Sequence, residues 1–222
     1  MEYGSVIFDM DGVILNSLVG NEDWKFEAVR EALGDKGVDP GEMDRNDLGA
    51  IMGDQGYKEV VRRSAEHGLD PGEIWRHVAF KTTEARVEQI EKGNFEIYDG
   101  AREVIELLHS EDVELGIISN APEKAVEATM EFYDMRKYFK FYAGVRNFED
   151  LQARKPNPNH LELAKAELKR DPMVYIGDAE SDVIAAQRAD LDSVWVNRND
   201  SDADVRPDHE IRDMKGLEDI VR

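Results

Sequence analysis

Two aspartates near the N-terminus give the first indication of chemistry in this sequence. Asp9 and Asp11 follow the apolar run Val6-Ile7-Phe8 and are spaced two residues apart. In an extended segment such residues project to the same side, so both carboxylates would leave the end of one buried strand together. Two anionic groups held side by side repel each other and need a cation, a shared proton or open water. This stretch is the first candidate for an active site.

Two further apolar runs also end in polar side chains. Residues 115–118 lead into Ser119 and Asn120, and residues 173–177 lead into Asp178. The carboxyl ends of parallel strands lie along one edge of a sheet, which is where open α/β sheets bind their ligands. We therefore expect all these side chains to meet at one edge of the sheet.

Lys155 and Asp182 complete the constellation. Asp182 follows Asp178 by four residues, and Lys155 lies in a loop where Pro156 and Pro158 interrupt any helix. Several carboxylates cannot all stay ionised in one crevice without a cation, and oxygen-only ligands suit Mg²⁺, which also binds phosphate. A lysine can hold an anionic group or keep a carboxylate ionised. Carboxylate, Mg²⁺, lysine and a hydroxyl donor together predict phosphoryl transfer through an aspartyl-phosphate.

The elements that position these residues follow a clear order. From about residue 98 onward strand and helix patterns alternate, which predicts an α/β fold with a mostly parallel sheet between helices. Between about 21 and 90 helical spacing and turn signals dominate, so we predict about four helices inserted after the first strand. Asp39 and Asp70 each precede a Pro-Gly pair, which predicts that both lie near the start of a helix.

Composition excludes several classes of protein. The 222 residues include no cysteine, which rules out disulfides, thiolate nucleophiles and cysteine-ligated zinc. The net charge of -21 argues against nucleic acid as a partner, and no apolar run approaches the ~20 residues of a membrane span. No basic region precedes the first apolar run, so we expect no signal peptide and a cytoplasmic location. Lysines are only 12 of the 28 basic residues, and with the acidic surplus they suggest a halophilic source.

Four short motifs together resemble the haloacid dehalogenase-like (HAD) hydrolase superfamily, in its phosphoglycolate phosphatase and β-phosphoglucomutase-like branch. They are Asp9-Met10-Asp11-Gly12-Val13, Ser119-Asn120, Lys155-Pro156 and Gly177-Asp178-x-x-x-Asp182. The resemblance implies a Rossmann-like three-layer core made of residues 1–16 and 94–222. Residues 17–93 would then form a helical cap domain that closes over the site.

The resemblance also implies a role for each motif residue. Asp9 would be the nucleophile, and Asp11 the general acid and base. Ser119 and Asn120 would bind the phosphoryl group, and Lys155 would steady both the nucleophile and the phosphoryl charge.

Magnesium binding is implied in the same way. Asp9 and Asp178 would bind Mg²⁺ through their carboxylates and Asp11 through its backbone carbonyl. Asp182 would bind the ion directly or act through a water molecule.

The implied function is a Mg²⁺-dependent phosphatase acting on a small phosphorylated metabolite, either phosphoglycolate-like or a sugar phosphate. One alternative is a sugar phosphomutase of the same branch. The β-phosphoglucomutase type carries a histidine soon after the first motif, whereas no histidine occurs here before His67. A weakly active binding or regulatory module on this fold is the other alternative. Substrate identity and oligomeric state stay open.

Overall fold

A computed structural model describes residues 1–17, 22–41, 43–202 and 204–222. The strands in chain order are β1 Ser5–Phe8, β2 Glu114–Pro122, β3 Phe141–Val145, β4 Met173–Gly177, β5 Asp192–Val196 and β6 His209–Ile211. The α-helices are α1 Asp23–Gly34, α2 Arg45–Met52, α3 Tyr57–Glu66, α4 Pro71–Glu91, α5 Ala101–Ser110, α6 Glu123–Phe132, α7 Asn159–Glu167, α8 Glu180–Arg188 and α9 Leu217–Val221. Short 3-10 helices span Arg136–Tyr138, Glu149–Ala153 and Met214–Gly216.

The six strands form one sheet in the order β3-β2-β1-β4-β5-β6, and every pair is parallel. The central strand β1 is buried along its whole length, as its uninterrupted apolar run predicts. Its neighbours β2 and β4 carry two of the three other predicted site motifs. The strand order therefore brings the three motif-bearing strands side by side in the middle of the sheet.

Helices cover both faces of the sheet. Phe8 belongs to a core cluster with residues of α5, α6 and α9, whereas its neighbour Ile7 packs with residues of α7 and α8. Adjacent residues of a strand point to opposite faces, so these two contacts place the two helix layers on opposite sides. The predicted three-layer α/β architecture is confirmed.

Helices α1 to α4 lie between β1 and α5 in the sequence and form a helical insertion with its own apolar cluster. Phe26 and Val29 of α1 pack in this cluster with Ile74 and Val78 of α4. The prediction of about four helices between the first strand and the alternating region is confirmed. The boundaries 17–93 for a separate cap domain stay a prediction.

Helix starts in the insertion agree with the sequence only in part. Asp70 caps α4, since its carboxylate accepts a hydrogen bond from the backbone N–H of Glu73 at 2.7 Å. The corresponding prediction for Asp39 is wrong, because its side chain accepts from the backbone of Gly41 in a turn. Asp44 caps the helix that follows, by accepting a hydrogen bond from the N–H group of Asp47.

Two segments that connect the insertion to the sheet run side by side. Leu15 and Ile97 form an antiparallel bridge, and the backbone N–H of Tyr98 donates to the carbonyl of Ile14 at 2.9 Å. The N–H of Asn16 donates to the carbonyl of Glu96 at 2.8 Å. The chain thus leaves and re-enters the core as a short two-stranded ribbon.

Candidate active site

The predicted site residues meet at the carboxyl ends of β1, β2 and β4, as the parallel sheet requires. They line a cavity of about 310 Å³ between this edge of the sheet and the helical insertion. From the core the cavity is lined by Asp9, Asp11, Ser119, Asn120, Lys155, Asp178 and Asp182. Helices α1 and α4 supply further lining residues, among them Lys25 and Arg86. All seven predicted residues therefore share one cavity.

Lys155 links two buried carboxylates. Its Nζ atom lies 2.8 Å from Oδ1 of Asp9 and 2.6 Å from Oδ1 of Asp182. Burial alone would lower the pKa of Lys155, but the charges of Asp182 and Asp9 outweigh it, so the pKa is raised. Lys155 is therefore held as an ammonium beside Asp9.

Asp182 uses both carboxylate oxygens within the protein. Oδ1 accepts hydrogen bonds from Lys155 and, at 3.1 Å, from the hydroxyl of Tyr175. Oδ2 accepts from the backbone N–H groups of Asp178 and Ala179 at 3.2 and 3.0 Å, where α8 begins. This arrangement favours Asp182 as the residue that positions Lys155 and the start of α8. Direct metal binding by Asp182 stays a prediction.

Asn120 contacts the backbone of Lys155 through both ends of its amide. Its Oδ1 accepts from the N–H of Lys155 at 2.8 Å, and its Nδ2 donates to the carbonyl oxygen at 3.2 Å. The Ser119 hydroxyl is buried at the cavity wall and accepts a hydrogen bond from the N–H of Ala121 at 3.1 Å. Its own proton can still be donated to a phosphoryl oxygen. Asn120 is thus committed to holding Lys155 in place.

Asp11 is held by the helical insertion. Arg86 of α4 donates from Nη2 to Oδ1 of Asp11 and from Nη1 to Oδ2 at 3.4 Å, and the Ser17 hydroxyl also donates to Oδ1. Burial would raise the pKa of Asp11, but the charge and hydrogen bonds of Arg86 outweigh it, so the pKa is lowered. These contacts fix the direction of the carboxylate beside the predicted nucleophile and stabilise its negative charge.

Three carboxylates crowd together in a manner that favours a cation. One oxygen each of Asp9, Asp178 and Asp182 lies within 4.8 Å of the others. Burial raises the pKa of Asp9; the charge of Lys155 opposes the rise, and the charges of Asp182 and Asp178 add to it. Burial, and then the charge of Asp182, raise the pKa of Asp178 to about 6. Oxygen donors that repel each other in this way fit a hard divalent cation such as Mg²⁺.

Gly12 allows the first motif to approach the fourth. Its φ of +78° is a left-handed conformation that favours glycine, and a Cβ atom at this position would overlap the carboxylate of Asp178. Arg198 then fixes the following turn by donating to the carbonyl oxygens of Gly12 and, at 3.2 Å, Val13. The guanidinium of Arg198 also lies over the ring of Tyr98, 3.7 Å from its centroid.

Contacts to the predicted site also come from residues that were not identified from the sequence, among them Tyr175, Arg86 and Ser17. The only sequence signal for Tyr175 is its place in a buried strand, because a buried hydroxyl needs a partner. Arg86 lies in an ordinary polar stretch of α4, and Ser17 follows the first strand without any motif. The role of Arg86 depends on the way the insertion packs over the sheet, for which the sequence carries no local pattern.

Comparison with known families identifies this arrangement. A model of the haloacid dehalogenase-like hydrolases matches residues 6–196, which include all four motifs. The chain belongs to the haloacid dehalogenase-like hydrolase family. The family prediction made from the four motifs is therefore confirmed.

Relatives of this family member include proteins named as phosphatases. A phosphoglycolate phosphatase of Pseudomonas fluorescens Pf-5 is 28% identical over 204 residues, covering 85% of this chain and 67% of that protein. The pyrophosphatase PpaX of Halalkalibacterium halodurans is 24% identical over 100% of this chain and 98% of its own. These relatives agree with the prediction of a hydrolase that acts on phosphate groups.

The fold has close counterparts among solved structures. CbbY from Rhodobacter sphaeroides, in complex with phosphate, superimposes with a TM-score of 0.73 at 20% identity, covering 97% of this chain and 96% of that chain. At this identity the likeness shows the shared fold. Within the described residues, no helix is long and apolar enough to cross a membrane.

Proposed function

We propose that this haloacid dehalogenase-like hydrolase is a Mg²⁺-dependent phosphatase of small phosphorylated metabolites, either phosphoglycolate-like or sugar phosphates. The observation that carries the proposal is the placement of Asp9. Its carboxylate lies 2.8 Å from the Lys155 ammonium, beside the Asp178 carboxylate, in a cavity shared with Asp11. A carboxylate held by a lysine next to a cation site is suited to attack phosphorus.

The reaction follows from the roles of two aspartates. An oxygen of Asp9 attacks the phosphorus atom, the bond to the ester oxygen breaks, and an aspartyl-phosphate forms. Asp11 in its protonated form gives its proton to the leaving oxygen, and Arg86 stabilises the carboxylate that remains. That carboxylate then takes a proton from the water that attacks the aspartyl-phosphate. Lys155 and the hydroxyl of Ser119 bind the phosphoryl oxygens. Inorganic phosphate leaves and Asp9 is regenerated.

The carboxylates of Asp9 and Asp178 would hold the magnesium ion. When bound, the ion supplies positive charge that balances the crowded carboxylates and the phosphoryl oxygens. Asp182 supports this pair from outside, through Lys155 and the backbone at the start of α8. Lys155 and the start of α8 both belong to the core formed by residues 1–16 and 94–222. The helical unit of residues 17–93 acts as the cap that covers the cavity.

A panel of phosphate esters, with and without Mg²⁺, tests the proposal. We expect phosphate release with Mg²⁺, none in EDTA, and a loss of at least about 1,000-fold in Asp9→Asn, because the covalent intermediate cannot form. Asp134→Asn is a matched control, since Asp134 is exposed and its φ of +52° suits asparagine. Equal turnover by Asp9→Asn and wild type would refute the assignment of the nucleophile.

The panel also separates the alternatives. It should contain phosphoglycolate, several hexose phosphates and pyrophosphate, because relatives include both a phosphoglycolate phosphatase and a pyrophosphatase. Conversion of one hexose phosphate isomer into another without phosphate release would favour a mutase. A chain that hydrolysed no member of the panel would favour the binding or regulatory module.

A further inference from the structure

Arg86 occupies an unusual place for an arginine on a helix of the insertion. Only 5% of the residue is exposed, and its guanidinium reaches across the cavity to Asp11, which belongs to the core. We propose that Arg86 binds a carboxylate of the substrate, attached to the carbon atom that carries the leaving oxygen. The proposal rests on the phosphatase function proposed above and selects the phosphoglycolate-like class from the two named there.

The hydrogen bonds of Arg86 leave room for a second anion. A guanidinium has five N–H donors. Nε donates to the hydroxyl of Thr129 at 3.1 Å, and Nη1 and Nη2 each donate once to Asp11. Within the described parts of the chain, these three are the hydrogen bonds recorded for the Arg86 side chain. Two N–H donors, one on each terminal nitrogen, are left for a planar acceptor such as a carboxylate.

The contact with Asp11 fixes where such an anion would lie on the substrate. Asp11 is the proposed donor of a proton to the leaving oxygen, so that oxygen lies within hydrogen-bond distance of it. The guanidinium of Arg86 donates hydrogen bonds to the same carboxylate, so it lies close to that oxygen. A carboxylate on the carbon atom that carries the leaving oxygen lies only two bonds from that oxygen, whereas the second phosphate of a sugar bisphosphate lies several bonds further away.

The other cations that line the described part of the cavity are placed differently. Lys25 pairs with Glu22 at 2.8 Å, and Arg154 donates to the carbonyl of Gly53 at 2.5 Å. Lys155 is held between two core carboxylates and, in the proposed reaction, binds the oxygens of the transferred phosphoryl group. Arg86 is thus the cation of the insertion that directly contacts the proposed proton donor.

Two substrates that differ only at the proposed contact provide the test. 2-Phosphoglycolate carries the carboxylate, and 2-hydroxyethyl phosphate has an uncharged hydroxymethyl group in its place. The readout is the ratio of their kcat/KM values. In wild type we expect this ratio to favour 2-phosphoglycolate, and in Arg86→Gln to fall by about 10- to 100-fold, the value of a charged hydrogen bond. Arg86→Lys keeps the charge without the planar fork and should give an intermediate ratio.

A general disturbance of the fold would lower both kcat/KM values together and leave the ratio unchanged, which would refute the proposal. Arg76→Gln is the matched control, because Arg76 is an exposed arginine on the same helix and its loss should not alter the ratio. A wild-type ratio near one, with Mg²⁺-dependent hydrolysis that requires Asp9, would refute the role of Arg86 and leave the phosphatase function intact. Absence of hydrolysis across the whole ester panel would refute the proposed function itself.

Discussion

The contacts of Asp182 lead to a prediction that separates a positioning role from metal binding. Only 2% of Asp182 is exposed, and its oxygens accept hydrogen bonds from Lys155, Tyr175 and two backbone N–H groups. Asp182→Asn keeps the shape but replaces one oxygen by an NH₂ group. Whichever way the amide turns, a donor then faces other donors, and the negative charge opposite Lys155 is lost.

The expected cost follows from these contacts. Removing one partner of a buried ion pair costs about 3–5 kcal/mol, and Lys155 keeps Asp9 as a second partner, so we expect about 3 kcal/mol. For a chain of this size that loss lowers the Tm by about 6–12 °C. Tyr175→Phe removes a single hydrogen bond to Asp182 and should cost about 1 kcal/mol.

Urea unfolding without added metal measures these differences, with the exposed Asp134→Asn variant as the control for the chemical change. A destabilisation of Asp182→Asn below about 1 kcal/mol would refute the reasoning. The Mg²⁺ concentration for half-maximal activity provides the second measurement. It should rise more in Asp178→Asn than in Asp182→Asn, and the reverse order would make Asp182 a direct ligand.

Two other predictions concern the first motif and the surface. Gly12→Ala should lower phosphatase activity by about 100-fold, because a Cβ would displace the Asp178 carboxylate. Gly37 has a φ of +77° and open space around it, so Gly37→Ala gives the cost of the backbone conformation alone. Equal activity of both variants would refute the predicted overlap between the Cβ atom and Asp178. Molar KCl should raise the Tm by screening the net charge of -21; equal melting in low and high salt would contradict the halophilic hypothesis.

The fold was largely predictable because its strands are short, apolar and separated by clear helix patterns. The run before Asp9 has to be buried on both sides, which requires helices on both faces of a parallel sheet. Strand limits were less certain. β2 continues through Asn120 to Pro122, beyond the apolar run, since its ladder with β3 extends to Val145.

The site residues that belong to the core were predictable because they follow from the parallel sheet. Once β1, β2 and β4 are parallel neighbours, Asp9, Ser119 and Asp178 must meet at one edge. Partners from the insertion were not predictable. Nothing in the sequence around Arg86 distinguishes a buried arginine from a solvated one, because its burial depends on a helix that packs over the sheet from 75 residues away.

The two-stranded ribbon between core and insertion has a mechanical consequence. A pair of hydrogen-bonded segments bends readily out of its plane, but sliding one segment past the other would break the bonds between Ile14 and Tyr98 and between Asn16 and Glu96. Arg198 fastens the core end of this ribbon at Gly12 and stacks on Tyr98. A rotation of the helices above the cavity about this ribbon would therefore carry Arg86 toward or away from Asp11.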